Sequence, residues 1–232
     1  MILIPAPGSQ DMQAAVSNRH VLKLVELLVD EVGSDLFMLI ASIIRTIDQK
    51  TSSDFLAQIQ EIRKFTQREL DENGQYIINP YIEDLCNALT SVYEDPQRVV
   101  GYRRGAIVEL LTYELVTLHC SEDECKHNHR FHDASRKYNS DQVDVAVLSH
   151  ENAEIEGYTC KVNARAIQSE DCTNLHELIK RADEQHYDVH VGAVCFANSH
   201  MIDQRLKKFA AEEDIKSYGL DNLALLKQSP FS

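Results

Sequence analysis

The chain contains no tryptophan, and its 232 residues include only eight glycines and five prolines. So few turn formers disfavour an all-β fold full of tight turns. No apolar run reaches the roughly 18 residues that a membrane-spanning helix needs. Excess positive charge is lacking too: 23 Lys and Arg face 37 Asp and Glu, a formal charge of −14. That balance argues against a protein that coats nucleic acid through bulk electrostatics, while leaving room for a local basic cleft. The opening Met-Ile-Leu-Ile-Pro-Ala-Pro-Gly has no basic region and is too short for a signal-peptide core. The expectation is a cytoplasmic protein with no membrane partner. Six cysteines in this length are too sparse for a disulfide framework.

What remains is ordinary globular material, 44% hydrophobic and 26% charged. Residues 1–95 read as a helical domain. Val21, Leu24, Val25, Leu28, Val29 and Val32 have the spacing of one helical face within Asp11–Val32. Gly33 is a stop signal and Ser34 an N-cap. The next helix, about Asp35–Gln49, carries Leu36, Leu39, Ile40, Ile43, Ile44 and Ile47 in a wide apolar stripe. That stripe could serve packing, a homodimer or a partner protein. A third helix opens at Ser52 or Ser53 and ends at Asn73-Gly74. A short strand or loop, Tyr76–Ile78, leads to Pro80 and a fourth helix. Glu94-Asp95-Pro96 is the best boundary signal in the chain.

Residues 96–232 have a different pattern. Residues 102–118 read as helix, and 119–140 as a polar stretch rich in His and Cys. Strands are expected at Gln142–Leu148, Glu156–Val162, Val189–Phe196 and Ile215–Tyr218, and helices at Asn174–Gln185 and Met201–Ala211. Strands mixed with crossover helices imply a sheet covered by helices. Residues 1–98 carry 8 basic and 15 acidic residues and 99–232 carry 15 and 22, so each part nets −7. Nine of the ten histidines nevertheless follow residue 118.

Three residues carry chemistry. Asp144 lies inside the apolar run Gln142-Val143-Asp144-Val145-Ala146-Val147-Leu148, where a carboxylate needs a metal, a hydrogen-bond partner or water. Lys161 ends the strand Tyr158-Thr159-Cys160-Lys161. Glu109 sits between Val108 and Leu110 on the preceding helix; the plain alternative for it is a solvent-facing or salt-bridged residue. The stretches Arg103-Arg104-Gly105-Ala106-Ile107-Val108-Glu109-Leu110, Asp141-Gln142-Val143-Asp144-Val145-Ala146-Val147 and Tyr158-Thr159-Cys160-Lys161-Val162-Asn163 together resemble the PD-(D/E)XK nuclease superfamily. The resemblance spans about Val99–Gly219. It implies an α+β fold, with the helical N-terminal region followed by a restriction-endonuclease-like α/β core on a mixed central sheet. It also implies metal-dependent hydrolysis of DNA, of the restriction or defence type. Glu109 and Asp144 would hold magnesium or manganese and Lys161 would orient the attacking water. Carboxylates suit a hard cation, which offsets phosphate charge and lowers the pKa of bound water.

One position departs from the motif. The superfamily has Asp or Glu two residues before the Lys, where this chain has Thr159. Strand parity puts Thr159 and Lys161 on one face and Glu156, Tyr158 and Cys160 on the other, so Glu156 is no simple substitute. Some members take the carboxylate from the next helix, which makes Glu177 a candidate; Glu170 and Asp171 precede it in an expected loop. Without such a carboxylate the protein would be a catalytically inactive binding or scaffolding protein. A third reading is a zinc-stabilised interaction domain, in which Cys120 and Cys125 with two of His127, His129 and His132 would close a tetrahedron. The plain alternative is a polar loop rich in histidine. Arg103, Arg104, Arg130, Arg136 and Lys137 are candidate phosphate contacts.

Overall fold

The computed structural model describes residues 1–6, 9–48, 53–65, 79–132 and 142–231. They form an α+β protein with eight α-helices and one six-stranded mixed sheet among the described residues. The chain divides into two compact units: Gln10–Ile107, and Val108–Ser232 together with Met1–Ser9. The expected boundary at Glu94-Asp95-Pro96 marks a turn between two helices. The division falls instead between Ile107 and Val108, inside a continuous helix.

The first unit holds α1 (Gln10–Val16), α2 (Arg19–Val29), α3 (Asp35–Thr46), α4 (Ser53–Phe65), α5 (Pro80–Val92) and the start of α6 (Gln97–Val116). The single helix expected over Asp11–Val32 is two. Asn18 breaks it, its side chain accepting the N–H groups of His20 and Val21 as an N-cap. Ser34 caps α3 by accepting the N–H of Phe37 at 3.0 Å. Leu36, Phe37, Ile40, Ile43, Ile44 and Ile47 are buried within the described chain. Five of the six stripe residues are therefore spent on packing, and Leu39 is half-buried. Tyr81 and Tyr93 donate their hydroxyls to Leu27 O at 2.7 Å and Ile47 O at 3.0 Å, joining distant helices. The expected end of the third helix at Asn73-Gly74 and the strand at Tyr76–Ile78 lie outside the described residues.

The second unit is built on β1 (Ile2–Pro5), β2 (Cys125–His132), β3 (Gln142–Ser149), β4 (Glu154–Lys161), β5 (Asp188–Cys195) and β6 (Lys216–Tyr218), in that spatial order. The pairs β1–β2, β2–β3 and β3–β4 are antiparallel, and β4–β5 and β5–β6 are parallel. Parallel neighbours need crossover connections, supplied by α7 (Ser169–Glu184) and α8 (Ser199–Lys207). Cys172, Leu175, Leu178 and Ala182 of α7 join the core formed by Ala146, Leu148, Ile155, Val191 and Ala193. Gly157 permits this approach, since a Cβ there would lie 2.5 Å from Leu178 Cδ2. Two strands differ from expectation. Cys125–His132 is not a loop but an interior strand, and the opening residues form β1 at the sheet edge. No described helix is long and apolar enough to cross a membrane.

Candidate active site

The antiparallel ladder of β3 and β4 runs from Ser149↔Glu154 to Val145↔Tyr158. One residue beyond it, Asp144 replaces the ladder with its side chain: Oδ2 accepts the Cys160 N–H at 2.6 Å. This anchors a carboxylate inside an apolar strand without leaving it unsatisfied. Thr159 Oγ1 lies 3.3 Å from the same oxygen and 3.4 Å from Asp171 Oδ1. Its one hydrogen serves either carboxylate in turn. Lys161 Nζ stands 3.5 Å from Asp144 Oδ2 and 3.0 Å from Asp171 Oδ1. Burial disfavours the Lys161 ammonium, but the two aspartates outweigh it and hold the pKa above its ordinary value.

Asp171 enters from the first turn of α7. Its Oδ2 accepts the Gln168 N–H at 2.7 Å, so one oxygen caps the helix while the other faces Lys161. Leu175 and Leu178 follow it on the sheet-facing side, at helical spacing. Glu177 is six residues on, rotated by about 240° from Asp171. No hydrogen bond or ion pair among the described residues joins Glu177 to the cluster. The carboxylate sought from the next helix is Asp171, missed because the helix starts at Ser169 rather than Asn174. The acidic first turn Ser169-Glu170-Asp171 was the available signal.

Glu109 is buried, 4% exposed, so it is not a solvent-facing helix residue. Burial raises its carboxyl pKa and the charge of Asp144 adds to the rise, against the contrary pull of His127 and Lys161. His127 Nδ1 lies 3.6 Å from Glu109 Oε1. The sequence candidates Glu109, Asp144, Thr159 and Lys161 thus come into one neighbourhood with Asp171. Three carboxylates against one ammonium leave a formal charge of −2 when all are ionised. Oxygen donors of that charge match a hard divalent cation. As they stand, however, no three His, Cys, Asp or Glu side chains among the described residues are gathered as a metal-holding group. The Lys161 ammonium bridges Asp144 and Asp171.

The other candidates go elsewhere. Arg103 donates to Ser91 O and Val92 O and pairs with Asp95. Arg104 donates to Ile44 O and Arg45 O, at the end of α3. Both are engaged by backbone carbonyls of the helical unit. Arg130 is half-buried on β2, paired with Ile4 and Gln142. Arg136 and Lys137 lie outside the described residues. The five proposed zinc ligands do not gather. Cys120 Sγ donates to Val116 O, Cys125 sits opposite Val147, His127 faces Glu109, His129 Nδ1 donates to His127 O at 2.7 Å, and His132 sits opposite Ile2. An extended strand spreads these residues along its length, whereas a loop could have wrapped them around an ion. No family model, no curated protein and no solved structure matches this chain.

Proposed function

We propose that the protein is a metal-dependent DNA endonuclease of the PD-(D/E)XK type, with Asp171 in place of the acid that Thr159 lacks. The observation supporting this most directly is the meeting of Asp144, Thr159, Lys161 and Asp171, with Glu109 in electrostatic reach. Asp144, Asp171 and Glu109 would hold magnesium or manganese. The bound ion supplies a Lewis acid that offsets phosphate charge and lowers the pKa of its water. Thr159 keeps the two aspartates facing one point. Lys161 turns from the aspartates to donate to the attacking water or to a phosphate oxygen. The Cys160 N–H fixes Asp144 throughout.

The test is cleavage of linear, supercoiled and single-stranded DNA, and of RNA, with magnesium or manganese. Wild type cleaves DNA, and Asp144→Asn and Lys161→Ala each lose about a thousandfold, the factor that ~4 kcal/mol of charge stabilisation makes. Calorimetric titration with manganese shows a site that Asp144→Asn lacks. In chelator, Glu109→Gln raises the thermal midpoint. A carboxyl with a raised folded pKa favours the native state less as pH rises through that value, so removing its charge relieves a penalty at neutral pH. Wild type that cleaves no nucleic acid overturns the reading in favour of an inactive binding protein, and Asp144→Asn that cleaves as well as wild type overturns the assignment of this site.

A further inference from the structure

Eight residues, 117–124, separate the end of α6 from the first residue of β2, and two thiols, Cys120 and Cys125, bracket the last four of them. Cys120 is half-buried and its Sγ donates to Val116 O at 3.3 Å. Cys125 is fully buried on β2, opposite Val147. The two thiols lie close enough that each shifts the other's titration, in opposite directions. The turn between them is already closed: Cys125 N donates to Ser121 O at 3.0 Å, and Glu124 N to the same oxygen at 3.1 Å. The Glu124 carboxylate accepts both the N–H and the hydroxyl of Ser121, at 3.1 and 2.7 Å. The backbone ordering that a short disulfide loop requires is thus present before any bond forms.

We propose that Cys120 and Cys125 are a redox-active dithiol that closes to a reversible intramolecular disulfide, Cys120 attacking first. The oxidant is a small disulfide such as oxidised glutathione. The Cys120 thiolate attacks one of its sulfurs, the S–S bond breaks, and one glutathione thiolate leaves. Cys125 then loses its proton to solvent and attacks Cys120 Sγ, expelling the second glutathione. Two protein thiols are oxidised and one disulfide is reduced to two thiols, a two-electron exchange.

The roles follow from position. Cys120 is the one of the pair that solvent reaches. The Cys125 thiol and the charge of His119 lower its pKa against the effect of burial. Cys125 is shifted the other way, by its interaction with Cys120 and by burial, so it is not the thiol that attacks first. Closure ties the turn that follows α6, the helix that carries Glu109, to the start of the strand that carries His127. The dithiol chemistry is independent of the nuclease reading, so either can fail alone.

The test uses reduced full-length protein incubated with oxidised glutathione under native conditions. Remaining thiols are trapped, and the protein is cut with a glutamate-specific protease, which cleaves after Glu122 and Glu124, between the two cysteines. The expected product is a pair of fragments joined through Cys120 and Cys125 and released by dithiothreitol. Cys86, Cys160, Cys172 and Cys195 stay as thiols. In the reduced native protein Cys120 alkylates at least about tenfold faster than Cys125. Cys120→Ser forms no link, and Cys125→Ser stops at a glutathione adduct on Cys120. Two free thiols, a lasting glutathione adduct on wild-type Cys120, or a link through another cysteine overturns the proposal.

Discussion

Thr159 and Lys161 project to one side of β4, and Glu156 and Tyr158 to the other, and the two sets handle buried charge differently. On the second side the carboxylate is closed off. His119 Nε2 lies 3.0 Å from Glu156 Oε1, and the Tyr158 hydroxyl donates to Oε2. The His119 and Glu156 side chains are 9% and 4% exposed. Next to them His190 Nε2 bonds the Tyr218 hydroxyl at 2.7 Å. On the first side Asp144, Lys161 and Asp171 keep 26%, 25% and 19% of their side-chain surface. There the carboxylates outnumber the cation, and Glu109 deepens the excess. One strand thus supports an enclosed network around Glu156, in which His119 Nδ1 is left without a hydrogen-bond partner among the described residues, and a more accessible, charge-unbalanced one.

The comparison is broken most severely by exchanging the roles of the two sides. Asp144→Asn is expected to abolish cleavage by about a thousandfold while the thermal midpoint stays near wild type. Glu156→Ala is expected to do the reverse. It leaves His119 and Tyr158 without their partner, at about 3–5 kcal/mol, or roughly 6–20 °C in a thermal melt, while the folded fraction still cleaves. A Glu156→Ala protein that melts like wild type would remove the stabilising role from this network. Within the open side, Asp171→Asn should cost about a hundredfold in rate and Glu177→Gln less than about twofold, measured on the same DNA. Equal effects would erase the distinction between the two α7 acids.

The smallest effect is a pH profile. Burial lowers the His119 pKa, but the hydrogen bond and charge of Glu156 outweigh it, so the folded value lies above the ordinary one. The folded state then favours the imidazolium. Its contribution is complete below the ordinary histidine value of about 6.5 and is lost as pH rises through the folded value. The thermal midpoint of wild type minus that of His119→Gln should therefore be largest near pH 5 and shrink by about pH 9. A difference that grows with pH would invert the assignment.

Which residues were legible in the sequence follows from how local their cause is. Asp144 stood out because a carboxylate in an apolar strand must meet a partner nearby. Glu109 stood out for the same reason on a helix. Thr159 and Lys161 shared a face by strand parity, and their joint contacts with Asp171 agree with that. Asp171 escaped because its role depends on where α7 begins, and a shift of five residues moves it from loop to first turn. The carbonyl contacts of Arg104 were not legible because its acceptors are Ile44 and Arg45, which no local pattern connects to it. β2 was taken for a loop because only Cys125 and Phe131 of its eight residues are buried. Its strand conformation is supported from both sides by β1 and β3, whose residues lie elsewhere in the chain.

The sequence by itself determined the elements whose cause is periodic or local: the amphipathic helices, the apolar strands of the sheet, the cap at Ser34, and the strand carboxylate that demanded a partner. Tertiary structure alone decided which charges meet. It brought the first-turn acid of α7 to Lys161, spent the paired arginines on carbonyls, and drew a His-rich stretch out into a strand. The physical reason is range. Periodicity acts over a few residues of chain, whereas a charge responds to whatever the fold brings within a few ångströms of it.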